Sequence, residues 1–514
     1  MPLQLKSLLF IELLLISGTL LFRAALRSEN RVIIGPKVIA VTLLTPAVAL
    51  LCGNAYIFYL YLVAAVALTS RTRAELCATY LMMLPMTPAL AQETGTGSIY
   101  LLPVSTILAM NLGALLGFFF TSPKRLPGRP SLDIAAVTLV ALFVFIDSRN
   151  ASITSFLRIS IIFFVQLGVP YLVMSRGVSF RKDVDRILLR FAYAGTLCAV
   201  VAAFGTTRGW VLYQSFNQAL HVPEAIGSAT LYMRSGHLRT GGTMVDYTAA
   251  GIFLASVLVA LPGLWAQFRR GWSTMVCVAL LGGLLATQSR GAWIATGVGM
   301  ATIMIYRGYL AAGVVLLAAA AAVQAAWAKL LAPNSKLAET FGTGGAGAQT
   351  AEYRRHLLAS GLRQIASHPL FGQPPRQLAA NMSDLTQGQH IVDFVNTHLY
   401  VAMTAGVPWF VLWLTIWIAP MVLAWRNRPV GRKRNTIDLA EIPMAIILTT
   451  MVALAFTSTI DRNLYWPAIA LGLIGPCVAL RRGNRHLPAQ PRLVPLTEVS
   501  GQPRYGEPLL PPIS

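Results

Sequence analysis

Stretch after stretch of this chain is apolar over a length that, wound as a helix, crosses the ~30 Å of bilayer hydrocarbon. Inside hydrocarbon every backbone N–H and C=O must be paired within the protein, which admits only α-helices and closed barrels. A barrel needs short segments of alternating polarity, and the sequence does not show them. The sequence therefore predicts an all-α, polytopic transmembrane bundle. Composition agrees: 55% of the 514 residues are hydrophobic and only 12% are charged, against about a quarter charged in soluble domains.

Spans are expected near 3–22, 34–51, 55–69, 76–91, 99–120, 134–147, 153–174, 187–206, 246–266, 273–288, 292–306, 309–328, 398–424, 440–458 and 464–480. Several are short and 34–69 is open to one broken helix, so the expected total is about 12 to 15. The net charge of +22 would point to nucleic acid in a soluble protein. Here the basic residues sit mainly in short loops beside the spans, where the positive-inside bias puts them, and no nucleic-acid partner is expected. That bias assigns 124–129, 176–190, Arg269-Arg270, Arg307, 426–434 and 481–485 to the cytoplasmic side. The opposite side then receives the loop 207–245, the turn Ser289-Arg290-Gly291, a long polar segment 329–397, and Asp461-Arg462. The orientation of the N-terminus stays unassigned.

The first span holds Glu12 and lacks a small-residue cleavage site, so it reads as a retained helix. Cys52, Cys77, Cys198, Cys277 and Cys477 lie in or beside apolar stretches without metal-ligand spacing, and read as packing residues. The alanine run 318–322 favours close helix packing. The proline-rich, polar tail 481–514 is expected to be disordered and cytoplasmic. The chain thus divides into N-terminal membrane helices, 1–240, a second membrane unit, 241–480, carrying the polar segment 329–397, and the tail.

That polar segment and its neighbours hold the candidate chemistry. Arg290 stands at the break between two apolar spans, where a guanidinium is costly unless it lines a wet cavity or meets an anion. Its planar fork suits bidentate contact with phosphate, although an arginine at a helix end also snorkels to the interface. His398 opens a span after Asn396 and Thr397, and imidazole accepts a proton near neutral pH. A lone interfacial histidine is otherwise a structural residue. Arg354 and Arg355 begin an amphipathic stretch with Leu357, Leu358, Leu362 and Ile365, which reads as a helix lying on the bilayer or as one presenting a guanidinium to a diphosphate. The loop 207–245 adds Arg208, Arg234, His237 and Arg239. Acidic and histidine residues are not spaced as metal ligands, the glycine run 342–347 lacks a P-loop ending, and a Gly-x-Ser-x-Gly elbow is missing.

Three blocks in order resemble the O-antigen ligase and polymerase superfamily, membrane glycosyltransferases acting on polyprenyl-diphosphate-linked glycans. Gln288-Ser289-Arg290-Gly291-Ala292-Trp293 is similar to that family's Ser-Arg-Gly signature. Arg354 followed by Ser367-His368-Pro369-Leu370-Phe371-Gly372 resembles its arginine and His-Pro-Leu-x-Gly run. Asn396-Thr397-His398-Leu399 leading to Gly406 resembles its His-Asn-x-x-Leu block, and Arg239 to Gly251 echoes an Arg-x-x-Gly-Thr segment. Two positions depart from the pattern. Val395 stands where the family has histidine before the asparagine, and Gly372-Gln373-Pro374 replaces Gly-x-Gly.

The resemblance implies a metal-independent, inverting transfer on the periplasmic side of a bacterial inner membrane, with no soluble cofactor. It implies a polyprenyl-diphosphate-linked glycan held by Arg290, Arg354 and Arg239. The base is His398, one helical turn from the usual position, or else Asp393 or His390. The acceptor is a lipid A core sugar, another lipid-linked glycan repeat, or a protein side chain, within membrane lipids and a possible polysaccharide assembly complex. Two rivals remain: a transporter or flippase for a lipid-linked or anionic solute, which would bury ionisable residues mid-span, and a non-catalytic scaffold of such a complex.

Overall fold

A helix pairs its backbone groups within one segment, and that requirement governs almost the whole chain. The computed structural model describes residues 3–96, 99–121, 130–222, 233–234, 236–316, 318, 346–386, 392–428, 438–457 and 464–486. The first half holds α1 (Leu3–Ala25), α2 (Pro36–Leu51), α3 (Ala55–Leu68), α4 (Arg73–Met83), α5 (Thr106–Phe120), α6 (Pro130–Ser148), α7 (Ile153–Phe163), α8 (Val169–Gly177), α9 (Arg181–Arg208) and α10 (Ser215–Ala219). The second half holds α11 (Tyr247–Leu264), α12 (Trp272–Ala286), α13 (Arg290–Tyr306), α14 (Ala346–Ser367), α15 (Pro375–Asn381), α16 (Thr397–Ala405), α17 (Val407–Arg426), α18 (Glu441–Leu454) and α19 (Tyr465–His486).

Among the described residues six helices are long and apolar enough to cross a membrane, and a seventh forms if Ser28–Ile34 and Pro36–Leu51, bent by 40°, count as one span. Five shorter apolar helices pack with them. α7 and α8 join through a π-helical turn, Phe164–Gly168, into one span. The chain is an all-α polytopic bundle. α9 and α11 run through its middle, with 83% and 78% of their apolar windows buried, whereas α1 and α17 bury about a third and turn the rest outward. Arg190, expected with the basic loop 176–190, is instead buried on α9, where its guanidinium donates to Thr79 Oγ1 at 2.7 Å.

Three expected spans form differently. The stretch 76–91 ends its helix at Met83, and 99–120 begins as a strand: β1 (Ala91–Thr96) pairs antiparallel with β2 (Ile99–Ser105). Pro85, Pro88 and Pro103 remove backbone donors there, and Ser105 restarts the helix by accepting from Leu108 N at 3.1 Å. The expected span 398–424 is broken at Gly406, whose φ of +89° ends α16 and starts α17. A second, two-residue hairpin joins β3 (Met233–Arg234) to β4 (His237–Leu238).

α14, α15 and α16 enclose a small separate core of Leu357, Leu378, Met382, Leu399 and Met403, which caps one end of the bundle. α19 runs on to His486, past the expected boundary at 480. The rest of the tail, His390, the loop 124–129, Asp461-Arg462 and all but the first of the alanines 318–322 lie outside the described residues.

Candidate functional site

The turn between α12 and α13 is built by its own side chains. Thr287 Oγ1 donates to Leu284 O at 2.7 Å and accepts from Ser289 N at 3.3 Å, while Trp293 Nε1 returns to Leu284 O at 3.1 Å. Between them Gln288 adopts a φ of +49°, a region side chains rarely enter. This sharp reversal starts α13 on Arg290, so that its guanidinium leaves the helix's first turn.

Two further arginines converge on that turn. Arg234 donates to Gln288 O at 3.0 Å. Arg239 reaches Thr287 O and Gln288 O, each at 3.4 Å, and lies over the Tyr247 ring with its guanidinium carbon 3.5 Å from the centroid. Behind Arg239 the chain dips into the bundle: Thr240 Oγ1 donates to Ala202 O at 2.7 Å, and Thr243 Oγ1 donates to Pro85 O. The Arg-x-x-Gly-Thr segment is therefore the anchor that fixes Arg239 against the turn before α13.

The fourth arginine comes from α14. Arg354 donates to Phe456 O at 3.2 Å, and its Nε has no partner among the described residues. Burial, and next the positive charge of Arg234, lower its pKa; the Asp393 carboxylate opposes them. The charges of Arg234, Arg354 and Arg239 in turn all act on Arg290. Among the described residues no carboxylate forms an ion pair with Arg290 or Arg354. Four guanidinium groups drawn together repel one another, and an anion of two or more charges relieves that repulsion.

Three separated blocks meet on one short stretch after α18. Arg354 holds the Phe456 carbonyl, Thr397 Oγ1 donates to Thr457 O at 2.9 Å, and Gly291 packs so close that an added Cβ would lie 2.6 Å from Phe456 Cβ. That close approach is why glycine follows Arg290. Asn396 caps α16 by accepting from Leu399 N at 3.1 Å. Asp393 is fastened one residue from Arg354: Tyr353 OH donates to Asp393 O at 3.0 Å and accepts from Asp393 N at 3.1 Å.

His398 faces elsewhere. Its Nε2 donates to Met451 O at 2.8 Å and its Nδ1 accepts from Trp413 Nε1 at 3.0 Å. The ring is thus held as the Nε2–H tautomer with both nitrogens occupied, and in this geometry it has no lone pair to offer an acceptor hydroxyl. It ties α16 to α17 and α18.

The His-Pro-Leu-Phe-Gly run is a joint. His368 Nδ1 accepts from Gln373 Nε2 at 2.7 Å, Gln373 N donates to Met403 O at 2.9 Å, and Val407 N donates to Pro369 O at 2.7 Å. Gly372, at φ +58°, lies where a Cβ would be 2.4 Å from Met403 O. Arg149, at the end of α6, donates to Phe371 O at 2.6 Å, to Gln373 O at 2.8 Å and to Thr404 O. The run therefore docks the cap onto the membrane helices.

Arg290, Arg239, Arg354 and Asp393, all expected from sequence, are thus neighbours, and His398 is not directed at them. Sequence reasoning left Arg234 among the outer charges, and passed over Gln288, Tyr353 and Arg149. A positive φ at Gln288 has no compositional signal, and Arg149 looks like an ordinary interfacial cation. Among the described residues no group of three His, Cys, Asp or Glu is placed to hold a metal ion.

Residues 275–414 match a family model whose description is O-Antigen ligase. The matched segment contains Arg290, Arg354, Asp393 and His398, and Arg234 and Arg239 precede it. No curated protein matches the chain.

Proposed function

Since the chain belongs to the O-antigen ligase family, we propose that it transfers a glycan from a polyprenyl-diphosphate-linked donor to a hydroxyl acceptor on the periplasmic side of a bacterial inner membrane. The observation that carries this reading is the cluster of Arg234, Arg239, Arg290 and Arg354, in which no described carboxylate pairs with Arg290 or Arg354. The donor's diphosphate binds there and offsets the positive charge. During transfer the bond between the anomeric carbon and the diphosphate oxygen breaks, and the negative charge gathering on the leaving diphosphate is met by these guanidinium groups.

The acceptor hydroxyl attacks the anomeric carbon and must lose its proton. Asp393, whose charge reaches Arg354 and whose backbone Tyr353 clamps, takes that role in our reading. His398 supports it by fixing α16, the helix that follows. The unit 241–480 supplies Arg290, Arg354 and Asp393, and Arg234 and Arg239 lie just before it. The chemistry is common to a ligase, whose acceptor is a lipid A core sugar, and a polymerase, whose acceptor is another lipid-linked repeat.

Complementation of cells lacking the protein tests this. Arg290→Ala, Arg354→Ala and Asp393→Asn, at membrane levels matched to wild type, are expected to lose mature surface glycan and accumulate lipid-linked donor. Long accumulated chains identify a ligase and single repeats a polymerase. Wild-type glycan in all three variants sinks the proposal and leaves a scaffold.

A further inference from the structure

A second set of arginines gathers at the opposite end of α11 from Arg239. Where α1 ends, the chain turns into a 3₁₀ helix, Ser28–Ile34, and where α11 ends, a 3₁₀ turn, Trp265–Gln267, leads to Arg269 and Arg270. The two segments are laced together, although 241 positions separate Arg27 from Phe268. Leu26 and Phe268 form an antiparallel bridge, Arg27 N donates to Gln267 O at 3.1 Å, and Arg269 N donates to Ala25 O at 2.8 Å. Asn30 Nδ2 adds a bond to Gln267 Oε1 at 2.8 Å.

This lacing places Arg27, Ser28, Glu29, Arg31 and Arg269 around one open recess of about 420 Å³. Three guanidinium groups share it with one carboxylate, and among the described residues none of the three forms an ion pair. Basic residues are usual on the side to which the positive-inside bias assigns Arg269 and Arg270. A recess walled by three of them is more than that bias requires. Its surroundings mark the level of lipid headgroups. Trp265 and Trp272, 48% and 36% exposed, flank Arg269 between α11 and α12, as tryptophan does where hydrocarbon meets water. Val32, which follows Arg31, is 82% exposed.

We propose that this recess binds the phosphate of an anionic phospholipid in the leaflet opposite the Arg290 cluster. Arg27, Arg31 and Arg269 donate to the phosphodiester oxygens, the Ser28 hydroxyl adds a donor, and Glu29 accepts from a hydroxyl of the polar head. A free phosphate offers the same oxygens, but the aromatic and apolar flanks favour a phosphate whose chains remain in the bilayer. Because the walls come from the ends of both α1 and α11, an occupant joins the two helices and stabilises the folded arrangement. The site stands apart from the diphosphate reading and does not depend on it.

The test titrates the full-length protein in detergent with phosphatidylglycerol and with phosphatidylcholine of the same acyl chains, following bound lipid by native mass spectrometry. Wild type is expected to bind phosphatidylglycerol about tenfold tighter, the scale of one charge-assisted hydrogen bond. Arg31→Gln and Arg269→Gln are each expected to weaken that binding about tenfold. Arg426→Gln removes an exposed cation assigned to the same side but outside the recess, and is expected to change nothing. A wild type that binds both lipids equally overturns the proposal. So does an Arg426→Gln loss as large as that of the recess variants, because the attraction would then belong to the whole basic face. Inorganic phosphate is expected not to displace the lipid; displacement that depends on Arg31 and Arg269 makes free phosphate the ligand and overturns the lipid. The lipid comparison on wild type decides even where a variant fails to fold.

Discussion

Trp413 gives its indole N–H to Nδ1 of His398 at 3.0 Å, and the opposite ring nitrogen gives its proton to the carbonyl of Met451 at 2.8 Å. That carbonyl lies in the last turn of α18, where Ala455 N donates to Val452 O and not to Met451 O four residues back. The histidine is thus a cap for α18 and a brace between two other helices.

His398→Ala leaves an indole N–H and a carbonyl unpaired in a buried place, which costs roughly 2–4 kcal/mol of stability. The thermal midpoint in detergent is expected to fall, with transfer falling alongside it. His398→Gln offers one donor and one acceptor and is expected to recover most of both. Transfer abolished in His398→Gln at an unchanged midpoint would return the histidine to the role of base.

Lysine keeps the charge of arginine but not the planar fork. Arg290→Lys and Arg354→Lys are expected to fold, to reach wild-type levels in the membrane, and to lose transfer by about 100-fold, the scale of one misplaced charge-stabilising donor. Initial rates on lipid-linked donor extracted from cells decide it. Rates within twofold of wild type for both would mean that bidentate contact is not what these residues supply.

Arg149 reaches three carbonyls of the joint between cap and bundle, those of Phe371, Gln373 and Thr404. A lysine cannot span them. Arg149→Lys is expected to free the cap at a cost of about 2–3 kcal/mol, seen as faster protease cutting within 346–386, while the midpoint of the bundle barely moves. Cutting at the wild-type rate would show that the joint holds without it.

Gly406 and Gly372 face each other across the same joint. A Cβ on Gly406, at φ +89°, would lie 2.6 Å from the Leu370 carbonyl, and one on Gly372 would lie 2.4 Å from Met403 O. Backbone, not a flexible side chain, blocks both. Gly406→Ala and Gly372→Ala are each expected to destabilise by about 3 kcal/mol or more, read as a lowered midpoint and reduced membrane level. A wild-type midpoint in either would contradict the close packing.

Much of this molecule is written locally. Apolar length determines helix in a medium where nothing else pairs the backbone, so the all-α polytopic class follows from α1, α9, α11 and the other long apolar stretches together. Arg290 at a break between spans and Arg354 at the head of an amphipathic stretch are costly placements that any reader of the chain can see. Where local chemistry departed from apolar length, length misled: prolines turned 91–105 into a hairpin, and one glycine cut 398–424 in two.

What the sequence could not state is which residues face one another. His398 and Asp393 are five positions apart, and the sequence put His398 first as the base, with Asp393 and His390 as alternatives. Only the packing of α16 against α17 and α18 sends the histidine to Trp413 and Met451, and only the Tyr353 clamp keeps Asp393 beside Arg354. Likewise Arg234 and Gln288 acquire meaning from a contact across 54 positions of chain. The reason is physical. Helix formation depends on neighbours in sequence and on the solvent, whereas a site depends on long-range packing, which fixes distances that no local pattern encodes.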